Sequence, residues 1–451
     1  MQSQSLRQIV ANARLGKFHF VLLAWCAFIV LFDGYDLVIF GALVPTLMKE
    51  WHLNAVETGT LGSMALAGML VGALAMGPLA DRFGRRFVLL LCTILFSAMS
   101  CLSAFAPRPS VFGLLRLLTG IGLGGAIPNA VALVDELSPE RRRGISVTAV
   151  MAFYAIGGMV SAAVAIFAIP SVGWRPTLYF ATIPLVTLPF MYRTLPESVS
   201  FLLSTGRLDR AIETLRRIDP TVHLSGDTTS AAALKTSPAM MTSVSSLFSD
   251  DRFDRTLLIW LVSAACMLLA YALNTWLPKL MVSGGYPLVS SLSFLMLLNA
   301  GAVLGSVLGG WLSDRFGTRE TVIGFLICAA ASLVLLGTKP PQPFLSMMLL
   351  LAGASTIGTL SIVASFVAKA YPAEIRATAV SYSSAAGKLG AMIGPLLGGL
   401  ILGMGLPFFQ NFIVFAIPAL LGIGALLGIR KNTELDASTT AVIRPLKNEH
   451  H

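Results

Sequence analysis

Charge is what this chain has least of. Only 12% of its 451 residues are Asp, Glu, Lys or Arg, against 55% hydrophobic ones, and its mean hydropathy is +0.79. That leaves too little polar side chain to clothe a water-soluble globule, so a soluble enzyme or binding domain is excluded in favour of an all-α polytopic membrane protein. Cysteine is scarce as well. Cys26, Cys92, Cys101, Cys266 and Cys328 all fall inside apolar runs without paired spacing, so neither a disulfide framework nor a metal site is expected. No small-residue cleavage site follows the first apolar run, which is therefore expected to stay as a span. No nucleophile stands beside a base and no nucleotide loop occurs, so the chain reads as no enzyme, and no cofactor is expected.

What is present in quantity is long apolar runs. The sequence predicts twelve transmembrane helices near residues 18–42, 57–79, 87–106, 110–134, 144–169, 174–193, 254–282, 288–312, 320–338, 342–369, 376–403 and 406–430, each of a length that crosses hydrocarbon. With the N-terminus in the cytoplasm, the outer loops hold only Lys49, Arg108, Arg175, Lys279 and Lys339. Arg116 and Lys388 lie within spans, and every other Lys and Arg falls on the inner side. This positive-inside asymmetry places both termini in the cytoplasm. It also accounts for the net charge of +10 without any nucleic-acid partner. The expected layout is a six-helix bundle over 1–195, a cytoplasmic connector over 196–253, a second six-helix bundle over 254–430 and a cytoplasmic tail over 431–451. The connector contains an amphipathic segment and a Ser/Thr/Ala-rich linker from Thr221 to Ser246. The expected setting is the lipid bilayer of the cytoplasmic (inner) membrane, with the chain as a monomer.

The halves are copies. GPLADRFGRR (Gly77 to Arg86) recurs as GWLSDRFGTR (Gly310 to Arg319) 233 positions later, and the same offset carries Pro45 onto Pro278, Pro139 onto Pro372, Arg143 onto Arg376 and Gly157 onto Gly390. Parallel six-helix repeats are the plan of transporters whose two bundles rock about a midplane site.

Against that repeat the intramembrane charges stand out. Asp33 and Asp36 interrupt the first span in FDGYDLVIF (Phe32 to Phe40). A carboxylate there costs roughly 2.5–3.5 kcal/mol and by default marks a working cavity. Spaced i and i+3 they share a helix face, with Gly34 between them admitting close approach, and the pair reads as proton-handling. Arg116, ahead of Gly120, Gly122, Gly124 and Gly125, cannot shed its charge. It is expected either to set the protonation of Asp33 or Asp36 or to meet a substrate carboxylate. Lys388, deep in the eleventh span, is the candidate cation for an anionic substrate. At the 233 offset Asp33 faces Cys266, Asp36 Leu269, Arg116 Leu349 and Lys388 Ala155. The shared scaffold therefore did not demand these charges, whereas the loop charges Asp81 with Asp314 and Arg143 with Arg376 are duplicated. That separates gate from site.

Over nearly its whole length the chain resembles the major facilitator superfamily, whose cytoplasmic loop motif the paired Gly77 to Arg86 and Gly310 to Arg319 stretches match. Within it, DGYD in span 1 resembles the aromatic acid:proton symporter family, as do RLLTGIGLGGAIPNAVAL in span 4, SPERRRG after it and YALNTWLP in span 7. The resemblance implies proton-coupled import of a small aromatic acid, with H+ the coupling ion. It further implies a cytoplasmic gate of Gly77, Asp81, Arg82, Gly84, Arg85, Arg86, Glu136, Arg143, Asp314, Arg315, Arg319 and Arg376, a lock that can pair across the bundles in the outward-facing state and is broken on opening inward. The second copy departs by carrying Thr318 where the first has Arg85. Many relatives carry Arg where this chain has Lys388, which trades a bidentate fork for a point charge. Tyr35, Tyr154, Tyr271, Asn274, Trp276, Asn299, Tyr382, Ser383 and Ser384, with Phe153, are the candidate pocket, rings stacking on the acid and hydroxyls and amides reading its substituents. His19 and His52, near span ends, read as interfacial. Two embedded cations also suit a muconate or other dicarboxylate. Drug export is the further alternative, disfavoured because those cations repel cationic drugs.

Overall fold

The computed structural model describes residues 10–218, 244–249, 252–372 and 374–429. The linker expected from Thr221 lies outside these residues up to position 243, and the tail expected over 431–451 lies wholly outside them. The described chain is helical, with no strand. Its spans are α1 (Lys17–Glu50), α2 (Ala55–Phe83), α3 (Arg85–Ser103), α4 (Pro109–Leu137) and α5 (Arg143–Val172), followed by α6 in two pieces (Arg175–Tyr179 and Ile183–Thr194). After the connector come α7 (Phe253–Ser283), α8 (Leu288–Phe316) and α9 (Thr318–Gly337). The chain ends in α10 in two pieces (Gln342–Thr356 and Thr359–Ala370), α11 (Arg376–Gly403) and α12 (Phe408–Gly428).

Eleven segments, α10 counted whole, are long and apolar enough to cross a membrane. The sixth differs from the sequence expectation of an unbroken span. It is interrupted by a 3-10 turn at Phe180–Thr182 and carries Pro176, Pro184 and Pro189, each of which removes a backbone donor. Several other helices run past the expected ends. Thus α1 continues to Glu50, eight residues beyond 42, because Pro45 sits where α1 already packs on its neighbours and Leu47 is still fully buried.

Helix ends follow their local chemistry. Asn54 and Glu57 form a reciprocal capping box at the start of α2, with 2.8 and 2.9 Å bonds. Gly84 and Gly317, at φ of +97° and +93°, separate α2 from α3 and α8 from α9. A side chain at that backbone angle is strained. The loop motif thus repeats because the turn does.

Packing repeats in the same register. A Cβ at Gly68, Gly72 or Gly120 would fall on the carbonyl oxygens of Leu117, Ile121 and Ala65, so α2 and α4 touch at the backbone. Gly301, Gly305 and Gly353, 233 residues on, meet those of Leu350, Ala354 and Leu298 between α8 and α10. Gly157 against Leu31 (α5 on α1) returns as Gly390 against Ala264 (α11 on α7). Backbone contact through small residues is how helices associate where lipid removes the hydrophobic drive. Many large apolar side chains remain outward and exposed, among them Phe20, Phe167, Val186, Leu304 and Leu427.

The halves meet along α1–α7, α2–α11 and α5–α8. Gly41 abuts the Asn274 carbonyl, Gly59 abuts Pro395 and Gly399 abuts Ala55. Gly41 and Asn274 are themselves 233 apart, so the pseudo-two-fold axis passes between them. Gly59, Ala55, Pro395 and Gly399 lie away from the basic loops, so α2 and α11 touch at the backbone at that opposite end.

Candidate functional site

Asp36 and Asp33 sit one turn apart on α1 in unlike surroundings. Asp36 is fully buried, and Arg116, 1% exposed, reaches it from α4. Nη1 donates to Oδ2 at 2.7 Å, and Nη2 donates to the Asp36 main-chain carbonyl at 2.9 Å. The Ser100 hydroxyl of α3 donates to Oδ1. The Phe40 ring lies 6.0 Å from the guanidinium centre. Carboxylate and cation are thereby committed to one another.

Asp33 is equally buried, yet neither carboxylate oxygen has a hydrogen-bond partner. Asp36 and Lys388 are within electrostatic reach, as are the hydroxyls of Tyr154 and Tyr271. No ion pair to Lys388 forms among the described side chains. Ser97, one turn before Ser100 on α3, is also buried with its hydroxyl unpartnered. An ionised carboxylate without partners is among the most expensive groups to bury, and a proton or an approaching cation removes the cost.

A small cavity lies above this pair, lined by Leu37, Val38, Phe40, Gly62, Ala65, Leu66, Arg116, Tyr154, Tyr271, Asn274 and Thr275. The residues come from α1, α2, α4, α5 and α7, hence from both halves. Tyr154 and Tyr271 hydroxyls are 3.1 Å apart across it. Asn274 is oriented by Asn299, whose amide donates to the Asn274 side-chain oxygen at 3.1 Å and to the Leu295 carbonyl at 3.0 Å. Of the sequence candidates, Arg116, Tyr154, Tyr271 and Asn274 line the cavity, and Asn299 stands behind it.

Others are placed elsewhere. Tyr35 turns into the first half, its hydroxyl donating to the Thr177 carbonyl at 2.6 Å and its ring stacked on Phe180. Trp276 is fully buried between α7 and α11, its indole donating to the Pro395 carbonyl at 2.8 Å. Ser383 pairs with Ser263 at 2.8 Å and Tyr382 stacks on Trp260, both tying α11 to α7. Ser384 and Phe153 are exposed, and Lys388 is half-buried outside the cavity lining. His19 is buried at the foot of α1, accepting from the Gly16 amide at 3.2 Å through Nδ1, whereas His52 is exposed.

At the rim, no ion pair links the two bundles among the described residues. Ion pairs between described side chains all stay within the first half or its connector. Arg85 reaches Glu136 at 3.7 Å and Arg143 reaches Asp135 at 3.7 Å. Glu136 also accepts from the Ser198 hydroxyl and the Ser200 amide, each at 2.7 Å, and the Arg86 amide donates to Glu197 at 3.0 Å. These bonds fasten the start of the connector to the first half. Arg86 donates to the Tyr192 carbonyl at the end of α6, and Arg319 donates to those of Leu426 and Ile429 at the end of α12. They cap helix C-termini within their own halves. Asp81, Arg82, Asp314, Arg315 and Arg376 are exposed and make no ion pair with another described residue. Gly84 makes its turn, but Gly77 has open space where a Cβ would stand and is not held by packing here.

Sequence reading missed Ser100, Phe40 and Glu197. A stripe of Ser97, Ser100 and Ser103 every third residue along the apolar α3 was the available signal for the first. The offset also pairs Glu136 with Lys369 and Arg85 with Thr318, and Lys369 donates to the Thr318 hydroxyl at 3.0 Å. The second copy therefore keeps the contact but not the ion pair, with a hydroxyl in place of the guanidinium and an ammonium in place of the carboxylate.

A Major Facilitator Superfamily profile matches residues 26–362 and again 297–448. The chain is 36% identical to the benzoate transport protein of Acinetobacter baylyi over 424 residues, covering 93% of this chain and 91% of that one. It is 38% identical to the gentisate transporter of Corynebacterium glutamicum over 416 residues, covering 90% and 86%. The xylose transporter XylE from E. coli, in a partially occluded inward-open conformation, superposes with a TM-score of 0.73 at 20% identity, covering 92% of this chain and all of that one.

Proposed function

This chain is a member of the Major Facilitator Superfamily, and on that premise we propose that it imports a small aromatic carboxylate by proton symport through alternating access. The observation that carries the reading is the contrast between the two carboxyls of α1. Asp36 is saturated by Arg116 and Ser100, while Asp33 has no partner at either oxygen. Asp33 is the group with room for a proton. Ionised, it repels an arriving carboxylate and engages the field of Lys388. Protonated, it does neither, and the ammonium is left as counter-charge for the substrate. Proton and acid then favour each other's binding. The names of the relatives support an aromatic acid, as do the Phe40, Tyr154 and Tyr271 rings around the cavity.

The commitment of Arg116 to Asp36 leaves Lys388 as the uncommitted cation near the site. That favours a monocarboxylate over a dicarboxylate. The basic end is cytoplasmic, and the two bundles, 1–195 and 254–430 about the 196–253 connector, form a monomeric carrier in the cytoplasmic membrane. Both halves line one cavity, which supports the monomer. The end where α2 and α11 touch then faces outward, and the exposed Asp81, Arg82, Asp314, Arg315 and Arg376 are the charges that meet when the basic end closes.

Purified protein in proteoliposomes tests this directly. Labelled benzoate, 4-hydroxybenzoate or gentisate should accumulate when the interior is made alkaline and not at equal pH, and unlabelled muconate should compete poorly. Equal uptake with and without the gradient would remove proton coupling, and stronger competition by muconate would remove the aromatic assignment.

A further inference from the structure

Two tyrosines that neither half duplicates meet at the seam between the halves. Tyr154 on α5 corresponds at the 233 offset to Gly387, and Tyr271 on α7 to Val38. Their hydroxyls, 3.1 Å apart, make the one hydrogen bond between the halves among the described residues. Elsewhere that seam holds mostly apolar or backbone packing, such as Gly41 against Asn274 and Gly59 against Pro395, with the Asn299 side-chain oxygen against Gly158 and the Asp33 and Lys388 charges facing each other without a hydrogen bond. Both tyrosines line the cavity and lie within electrostatic reach of Asp33.

Among the other polar groups of the cavity, Arg116 and Asn274 are largely held, with the Arg116 Nε the buried donor left unpartnered. Two of the Arg116 nitrogens are held by Asp36, and the Asn274 amide donates to the Ala270 carbonyl at 3.0 Å while its oxygen accepts from Asn299. The tyrosine pair is different. One hydroxyl donates to the other, so one proton is left to donate elsewhere, and a stronger acceptor can recruit both.

We propose that the substrate carboxylate replaces this bond, accepting one hydrogen bond from Tyr154 and one from Tyr271, so that the pair both selects for a carboxylate and links its arrival to movement of the halves. The inference rests on the reading of the chain as an aromatic-acid carrier. A neutral hydroxyl–hydroxyl bond gives way to two bonds onto an anion, each roughly twice as strong. The hydroxyls must part to admit the carboxylate between them. Because one belongs to each half, that parting displaces α5 relative to α7. Asp33 stands beside the same hydroxyls, so a proton there removes the competing anion.

The test is Y154F, Y271F and the double variant, full-length in proteoliposomes under the inside-alkaline gradient. The label is whichever of benzoate, 4-hydroxybenzoate and gentisate the wild type takes up fastest, with its unlabelled amide as competitor. Each single variant should raise KM for the acid about tenfold with Vmax little changed, since a hydrogen bond to a charged group is lost. Inhibition by the amide should weaken less than about threefold, because a neutral ligand loses only neutral bonds. Binding of the same acid to detergent-purified variants should show the same shift without requiring transport. A KM within about twofold of wild type in both single variants would overturn the proposal. So would equal weakening of acid and amide, which is what loss of a merely structural latch produces. A wild-type protein that takes up none of the three acids would instead overturn the functional reading and this inference with it.

Discussion

At the scale of single residues, the first span carries two identical carboxyls in unlike surroundings, and substitution should separate the roles proposed for them. Asp33→Asn keeps the shape and removes the titrating proton. Gradient-driven uptake is expected to fall to background while the protein still reaches the membrane, and exchange of labelled for unlabelled acid at equal pH should continue; uptake and exchange assays on the same vesicles check both. Arg116→Leu strands Asp36 as a buried, unpaired charge, at a cost of about 3–5 kcal/mol, seen as a lowered thermal midpoint in detergent. The second half carries Leu269 and Leu349 at the two equivalent positions. The Asp36→Leu/Arg116→Leu double variant should therefore recover most of the lost midpoint, because replacing a buried ion pair with apolar side chains is often neutral or better. Sequence alone brought out all four embedded charges, since each breaks an apolar run and the repeat denies it a twin. It left their pairing open. Which carboxyl Arg116 takes depends on the rotation of α4 against α1, and no spacing within either helix specifies that.

At the scale of helices, glycines decide where backbones touch. Gly120 of α4 has the Ala65 carbonyl in the place a Cβ would occupy, whereas at Gly144 of α5 no heavy atom stands within 4 Å of it. Gly120→Ala is expected to cost about 1–3 kcal/mol through overpacking. Gly144→Ala should be neutral or stabilise by up to about 1 kcal/mol through helix propensity. Thermal unfolding of the two variants side by side gives the comparison. The register of these glycines was legible before any coordinates, because a constant offset carries Gly157 onto Gly390 and one Asp-Arg-Phe-Gly loop onto the other. The break in α6 was not. Prolines at its ends and middle are tolerated in membrane helices when neighbours satisfy the freed groups, so composition did not distinguish a bent span from an interrupted one. Tyr35 and Trp276 misled for a related reason. An aromatic residue with a polar atom suits a ligand pocket and a helix–helix packing site equally, and only its partners, the Thr177 and Pro395 carbonyls, tell the two apart.

At the scale of the whole molecule, the described residues of the two halves touch at one end by backbone contact and are joined at the centre by two hydroxyls, while the rim charges at the other end stay within their own halves. A swing between halves therefore has few polar bonds to break. The rim illustrates how far the repeat reaches as a guide. It carried the twin turns at Gly84 and Gly317 and showed Thr318 in place of Arg85, yet that Arg85 touches Glu136 and Thr318 touches Lys369 depends on packing between helices, which local patterning does not specify.

The self-cancelling Asp36–Arg116 pair has an electrical consequence. On the proposed cycle, with those two charges neutralised in place, the region that changes its access holds one anion, Asp33, and one cation, Lys388. Its sum would be zero when empty, and zero again when it carries one proton and one monoanion. A unit charge crossing would draw about 2.3 kcal/mol from each 100 mV of membrane potential, but in that cycle no charge crosses in either direction. Vesicles given a potassium diffusion potential at equal pH should accumulate no label, and substrate added to a planar membrane bearing the protein should evoke no steady current. The carrier would run on acidity alone and be blind to voltage.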